Sequence, residues 1–224
     1  MRNALTIDVE DYFHVSAFEN SIERKSWERM PQRALRNTHR VLDILDYWGL
    51  RGTFFILGWV AERYPGLVRR IASAGHEVAC HGYAHQRITT MTRQEFEQDV
   101  TKARKLLQDI SGQPVDGYRA PSYTITGQTR WALEALIDAG FTYDSSIFPI
   151  KHDLYGMPGA ERFPHDITCE NGVIREFPPT TIALNISGWK VNLPVAGGGY
   201  LRLLPAKWIS AAFSRLNRDG NPCM

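Results

Sequence analysis

His-Glu-Val-Ala-Cys-His-Gly-Tyr-Ala-His, at residues 76–85, combines a short apolar run with closely spaced histidines. The apolar residues 78–80 predict a buried strand, and His81 and His85 follow where that strand ends. Histidines four residues apart share one side of a helical turn or tight loop, about 5–6 Å apart at Cβ, which suits capture of one metal ion. Catalytic zinc usually has three protein ligands, so the pair predicts a carboxylate ligand from elsewhere. The alternative is a pair of ordinary polar loop residues.

The N-terminus supplies three acids within four residues. Residues 4–11 open as a β-type run and then place Asp8, Glu10 and Asp11 close together. Because side chains i and i+2 of a strand share a face, we expect Asp8 and Glu10 to point the same way. Neighbouring carboxylates on one face of a strand repel each other, and this is costly unless a cation or an arginine lies between them. A metal site is one arrangement that would remove this repulsion. A solvated acidic turn is the alternative.

With Arg119-Ala120-Pro121 further on, these motifs resemble the polysaccharide deacetylase family with the NodB homology domain, also called carbohydrate esterase family 4. That family has an Asp-containing motif on its first strand, then His-x-x-x-His, then Arg-x-Pro-aromatic. The same order is found here, and the resemblance spans essentially the whole chain. It is nearest to the branch of peptidoglycan deacetylases and allantoinase-like enzymes. Residues 8–14, Asp-Val-Glu-Asp-Tyr-Phe-His, resemble deacetylases of exosortase-associated exopolysaccharide clusters.

The resemblance implies a metal-dependent hydrolase that removes N-acetyl groups from a polysaccharide or sugar precursor of exopolysaccharide or peptidoglycan type. His81, His85 and one acid then hold Zn²⁺, and Co²⁺ or Ni²⁺ suits the same ligands. Strand alternation favours Glu10 as the acid, whereas Asp11 becomes the ligand if the strand bulges. The sequence leaves both open.

The resemblance also implies the remaining roles. Asp8 takes a proton from the attacking water, and Arg119 keeps Asp8 ionised and aimed. A backbone N–H near the third motif holds the oxyanion, but Ser122 stands where the family usually has its aromatic residue. The residues expected to contact or support the bound substrate are Tyr123, Pro121, His14 and Asp144. Two roles stay open for Asp144: it supports Arg119, or it is an ordinary aspartate in a turn at the end of a strand.

The composition is that of an ordinary globular protein. The 224 residues are 43% hydrophobic and 22% charged with a net charge of +2. The sequence has no basic stripe, so we predict no binding to nucleic acid. Three widely spaced cysteines predict no disulfide framework. No apolar run approaches the roughly 18 residues of a membrane span, and no leader follows Met1, so we predict a cytoplasmic chain. The sequence does not determine the oligomeric state.

Strand and helix signals alternate, which predicts the α/β class with the site at the carboxyl ends of parallel strands. A strand is predicted over residues 53–57, and helices over residues 31–48, 59–74 with a break at Pro65, 92–111 and 126–139. The NodB resemblance implies a distorted (β/α) barrel.

The C-terminal part is less regular. Residues 148–172 are rich in loop signals, residues 174–186 are β-rich, and a final helix starts at Pro205. Three glycines at 197–199 open no obvious helix and predict a sharp turn or close backbone approach to a ligand. Alternation predicts one further strand after the last helix.

The family's late-strand histidine, its general acid, has no counterpart after His165. We therefore predict one catalytic domain over residues 1–224 that lacks its last strand or strands. The alternative is a branch in which water or His14 acts as the acid. Two other functions stay open: an allantoinase-like ureide or cyclic amide hydrolase, and a non-catalytic carbohydrate-binding relative.

Overall fold

The computed structural model describes residues 3–186 and 189–224. Its centre is a seven-stranded, mostly parallel sheet whose strands run in the spatial order first, second, third, fourth, fifth, seventh, sixth. These strands are β1 (Thr6–Val9), β2 (Thr53–Ile56), β3 (Glu77–Cys80), β4 (Gly117–Tyr118), β5 (Tyr143–Asp144), β6 (His165–Cys169) and β7 (Gly172–Glu176). Only β6 runs antiparallel to its neighbour.

Helices connect the first five strands, because neighbouring parallel strands need a crossover that returns the chain to the same end of the sheet. They are α1 (Ala34–Tyr47), α2 (Gly58–Arg63), α3 (Pro65–Ser73), α4 (Arg93–Ser111) and α5 (Trp131–Asp138). Pro65 is the first residue of α3, which follows α2 after Tyr64. Proline suits this position because a backbone N–H there would have no partner within the helix. Both hydrogen bonds of the predicted capping box between Thr92 and Glu95 start α4.

The main hydrophobic core lies between the sheet and these helices. Residues of β2 and β3 such as Phe54, Ile56 and Val78 are fully buried. Their continuous apolar runs suit a parallel sheet that is covered on both faces. The same core takes in buried faces of α3 and α4, including Ile71 and Leu107.

The C-terminal layer follows the sheet and has its own small core. A hairpin of β8 (Thr181–Ile186) and β9 (Trp189–Pro194) is followed by α6 (Gly198–Leu203) and α7 (Ala206–Arg218). Its buried cluster consists of Ile182, Val195 and Ala212. Afterwards the chain returns to the main sheet, where the Ala4 N–H donates to the Cys223 carbonyl at 2.9 Å.

The predicted α/β class with a mostly parallel sheet is confirmed. Within the described residues the seven strands form an open sheet, so closure into a barrel stays a prediction. No described helix is both long and apolar enough to cross a bilayer.

Three local predictions were wrong. Strand β6 lies in the stretch expected to be loop; only Ile167 of its residues is buried, so its sequence lacks an apolar pattern. Helix α6 begins at the glycines that were expected to open none. Helix α5 starts at Trp131, because the Thr129 hydroxyl binds the Thr126 N–H and the Thr124 carbonyl in a turn that holds residues 126–129 outside the helix.

Candidate active site

The carboxyl ends of β1, β3 and β4 bring the candidate site residues together. Asp8 lies in β1 and Glu10 directly after it, His81 follows β3, and Arg119 follows β4. Parallel pairing aligns these ends, with Val9 opposite Ile56, Ile56 opposite Cys80 and Cys80 opposite Tyr118. The strand order therefore converts three distant motifs into one cluster at one edge of the sheet.

Glu10, His81 and His85 form a candidate metal centre. Glu10 Oε2 lies 3.0 Å from His85 Nε2 and 3.8 Å from His81 Nε2. One ligand atom from each residue lies within 4.8 Å of the other two. Glu10 Oε2 is buried and accepts no hydrogen bond from the described residues. A carboxylate and two imidazoles that converge in this way fit a divalent ion such as Zn²⁺.

His81 is oriented by the third motif. Its Nδ1 lies 2.8 Å from the Arg119 carbonyl oxygen, which accepts the Nδ1 proton and leaves the Nε2 lone pair directed at the cluster. Burial lowers the pKa of His81, which favours the neutral imidazole that metals bind.

The loop between the two histidines needs unusual backbone angles. Gly82 has φ +73°, a left-handed conformation that glycine adopts without a steric penalty. His85 itself has φ +50°, which costs a non-glycine residue about 1–2 kcal/mol. The Asp99 carboxylate holds the loop by accepting the Tyr83 N–H at 2.9 Å. An unfavourable backbone conformation therefore places the His85 side chain next to Glu10.

Asp11 lies outside this cluster. Its two carboxylate oxygens accept the backbone N–H groups of Arg33 at 2.8 Å and Ala34 at 3.0 Å, so it caps the start of α1. Of the two acids that the sequence left open, the structure brings Glu10 to the histidines and Asp11 to the helix.

Asp8 and Arg119 form a partly buried ion pair beside the cluster. Arg119 Nη1 donates to Asp8 Oδ1 at 2.7 Å, and Nη2 donates to Thr6 Oγ1 at 3.0 Å and Ser145 Oγ at 2.8 Å. Burial by itself raises the pKa of Asp8. The positive charge of Arg119 and the hydrogen bond that it donates oppose the effect of burial, and the pKa of Asp8 lies below its usual value. Asp8 is therefore an ionised carboxylate aimed by a fixed guanidinium.

The third motif leaves one backbone donor free. The Ala120 N–H donates to Ser146 Oγ at 2.7 Å, and the Tyr123 N–H donates to the Ala120 carbonyl at 3.0 Å. Pro121 has no N–H, so in the described part of the chain the Ser122 N–H is the donor here without an acceptor. Ser122 and Tyr123 have φ +53° and +52°, strained values that occur most often at functional sites.

Asp144 supports the third motif indirectly. Its carboxylate accepts the Ser146 hydroxyl and Ser146 N–H, while Ser145 makes the contacts to Arg119. Behind it, Glu176 Oε1 accepts the Ile147 N–H at 3.0 Å. Burial, and secondly the charge of Asp144, raise the pKa of Glu176 well above its usual value, so the Glu176 carboxyl keeps a proton.

Sequence reasoning missed Thr6, Ser145, Ser146 and Glu176. Their one available signal was position, since each is a polar residue within a strand or in the two residues after it.

Two further predicted site residues lie behind the site. His14 is packed among Phe13, Trp27 and Trp59, and its Nδ1 accepts the Asp11 N–H at 2.8 Å. Burial lowers the pKa of His14 to about 3, so its imidazole is neutral at pH 7. Neither His14 nor Pro121 lines the cavity at the site, whereas Tyr123 does.

The cavity has a volume of about 880 Å³, within the roughly 300–1,000 Å³ of small-ligand sites. Its floor is the candidate metal centre with Asp8 and Arg119. One wall comes from the loop after β1, including Tyr12 and Phe18, and another from the C-terminal layer at residues 196–202.

The fold and the site define an α/β protein whose parallel-sheet edge carries a candidate metal centre beside an ionised carboxylate. Residues 26–143, just over half of the chain, match the family described as Polysaccharide deacetylase, and the chain belongs to that family. The predicted membership of the polysaccharide deacetylase family is confirmed. Residues 145–224 match a second family, described as Domain of unknown function (DUF3473).

Named relatives are similar to a little under half of the chain. The peptidoglycan-N-acetylglucosamine deacetylase of Bacillus cereus is 32% identical over 101 residues, which cover 45% of this chain and 37% of that protein. The peptidoglycan deacetylase of Helicobacter pylori is 33% identical over 108 residues, 48% of this chain and 36% of that protein. The matched region therefore spans little more than a third of each relative.

A solved structure shares more of the fold. A Mycobacterium smegmatis protein named for the polysaccharide deacetylases superimposes with a TM-score of 0.63 at 27% identity. The superposition covers 79% of this chain and 58% of that chain.

Proposed function

We propose that this chain removes N-acetyl groups from a glycan by hydrolysis of the amide bond. The observation that carries the proposal is the convergence of Glu10, His81 and His85 within 4.8 Å, beside the Asp8–Arg119 pair and at the floor of a large cavity. The names of the relatives also favour a glycan deacetylase over the ureide hydrolase alternative.

Glu10, His81 and His85 would hold the metal ion, with zinc preferred and cobalt or nickel suited to the same donors. When bound, a divalent ion polarises the acetyl carbonyl and lowers the pKa of water to about 7. Asp8 accepts the proton of the attacking water, because its pKa lies below its usual value and it is ionised at neutral pH. Arg119 fixes the direction in which Asp8 accepts that proton.

Two further groups complete the reaction. The Ser122 N–H donates to the oxygen that becomes negative as water adds to the carbonyl carbon, a contribution of about 3–4 kcal/mol in comparable sites. The C–N bond then breaks, and the amine nitrogen needs a proton. Among the described residues that line the cavity, Asp8 is the group that has just gained one, so Asp8 returns it and acetate leaves.

The experiment measures bound metal and acetate release for three proteins. The parent is expected to bind close to one metal ion per chain and to release acetate from N-acetylglucosamine oligomers. Asp8→Asn is expected to keep the metal and lose acetate release. The His81→Ala, His85→Ala double variant is expected to lose both.

Equal metal in the parent and the double variant, or none in either, contradicts the ligand assignment. Sugar binding without acetate from the metal-loaded parent favours the non-catalytic alternative, and ureide loss without acetate favours the ureide hydrolase. An exopolysaccharide or peptidoglycan-type substrate, a single domain over residues 1–224 and the cytoplasmic location stay predictions.

A further inference from the structure

The charges that line the cavity do not all pair with each other. Arg119 pairs with Asp8, and the carboxylate of Asp11 is used by backbone N–H groups of α1. Two other cavity-lining guanidinium groups, those of Arg33 and Arg202, form no ion pair or hydrogen bond with any described residue. They are the cavity's uncommitted positive charges within the described ranges.

Arg33 is held in place at the mouth of the cavity. Its backbone N–H donates to Asp11 at 2.8 Å, which anchors the start of α1. Its guanidinium carbon lies 4.7 Å from the ring centroid of Tyr12, another residue that lines the cavity. Stacking on the aromatic face leaves the edge N–H groups of the guanidinium available to an anion.

Arg202 approaches the cavity from the C-terminal layer. It lies in α6, three residues after the last of the glycines at 197–199 that also line the cavity. A Cβ atom added to Gly198 or Gly199 would meet no protein atom within 4 Å. This wall is bare backbone beside open space, and such a surface lets a sugar ring come close to the chain.

We infer that the substrate is an anionic glycan, whose negative groups are bound by Arg33 and Arg202 while an N-acetyl group reaches the metal centre. This inference rests on the proposed function and narrows its substrate class. Guanidinium groups bind carboxylates and phosphates through paired N–H donors, so both anions match the site. A carboxylate would come from an acidic sugar within the glycan, and a phosphate from a phosphorylated end.

The test compares three N-acetylated oligosaccharides of equal length. One alternates glucuronate with N-acetylglucosamine, the second is the same oligosaccharide with its carboxylates reduced to alcohols, and the third is a neutral N-acetylglucosamine oligomer with a terminal phosphate. Binding is measured by calorimetry at low and high salt, and acetate release is measured separately.

The parent is expected to bind at least one anionic oligosaccharide about fivefold more tightly than the carboxyl-reduced one, with the preference falling as salt rises, as for exposed charge pairs. Arg33→Gln and Arg202→Gln are each expected to bring that ratio towards one. Arg36→Gln and Arg218→Gln remove exposed charges on α1 and α7 that do not line the cavity, and they serve as matched controls that leave the ratio intact.

The outcomes separate the two proposals. Equal binding of anionic and neutral oligosaccharides by the parent overturns this inference, even if all of them release acetate. An equal loss of preference in the control variants also overturns it, because the effect would then be general charge. An anionic preference without acetate from any oligosaccharide overturns the proposed function and leaves the binding site standing. A preference for only one anion identifies its source.

Discussion

The main sheet and the C-terminal layer contribute to the same cavity but are built differently. The floor stands on parallel strands whose core includes fully buried residues such as Phe54 and Ile71. The wall at residues 196–202 stands on a cluster of three buried side chains, Ile182, Val195 and Ala212. Groups that need fixed geometry lie on the large core, and groups that shape the substrate space lie on the small one.

This difference is physically reasonable. Ligand atoms and a proton acceptor must be held within a fraction of an ångström, which requires rigid packing around them. A wall that contacts a polymer tolerates more movement, and binding elements are often drawn from the less stable parts of a protein. The following variants test how far the two regions differ.

The largest effect is expected at the floor. Glu10→Ala removes a ligand of the candidate metal centre and should weaken metal affinity by more than about 100-fold, with a parallel loss of acetate release. Asp11→Ala removes the acceptor at the start of α1 and should keep the metal while it lowers the free energy of unfolding by about 1 kcal/mol. Metal titration and urea unfolding check both. Metal loss in Asp11→Ala with retention in Glu10→Ala would reverse the assignment.

The second comparison uses the same substitution in both cores. Ile71→Ala in the main core should lower the free energy of unfolding by about 4 kcal/mol, because Ile71 is fully buried. Ile182→Ala should cost about 2 kcal/mol, because Ile182 is 9% exposed and its cluster is small. Urea unfolding gives both values. Equal costs would show that the C-terminal layer is packed as firmly as the sheet.

The third prediction concerns Glu176, on β7 at the junction of the two regions. Because its pKa is raised, the folded state binds a proton that the unfolded state releases above its own pKa near 4.5. The contribution of Glu176 to the free energy of unfolding is therefore fully present below that pH. It falls as pH rises towards the folded-state pKa, by up to about 1.4 kcal/mol per pH unit. Glu176→Gln should remove this decline, as measured by urea unfolding at pH 5, 6, 7 and 8. An unchanged slope would show that Glu176 is ionised in the folded protein.

The smallest effect is expected at the glycine wall. Gly199→Ala should raise the free energy of unfolding by up to about 1 kcal/mol through helix propensity, yet weaken glycan binding a few-fold by narrowing the cavity. Gly66→Ala in α3 is the matched control, because its added Cβ also meets no protein atom but it does not line the cavity. It should stabilise without an effect on binding. Identical binding in the two variants would remove residues 197–199 from the substrate wall.

Much of the site was predictable because its chemistry is concentrated in short motifs. His81 and His85 are four residues apart, and Asp8 and Glu10 are two apart, so local spacing alone predicts shared faces. Ser145 and Arg33 carried no such signal. Each acts through a partner far away in the sequence, as Ser145 does for Arg119, and a single sequence does not encode such a pairing as a pattern.

The sequence by itself determined the α/β class, the two histidines and the acids near β1, because periodicity and spacing are local properties of the chain. Only the tertiary structure decided that Glu10 faces the histidines while Asp11 caps α1. That choice depends on where the backbone leaves β1 and on the position of a helix more than twenty residues later. The ion pair of Asp8 with Arg119, 111 residues apart, likewise exists because parallel pairing aligns the strand ends.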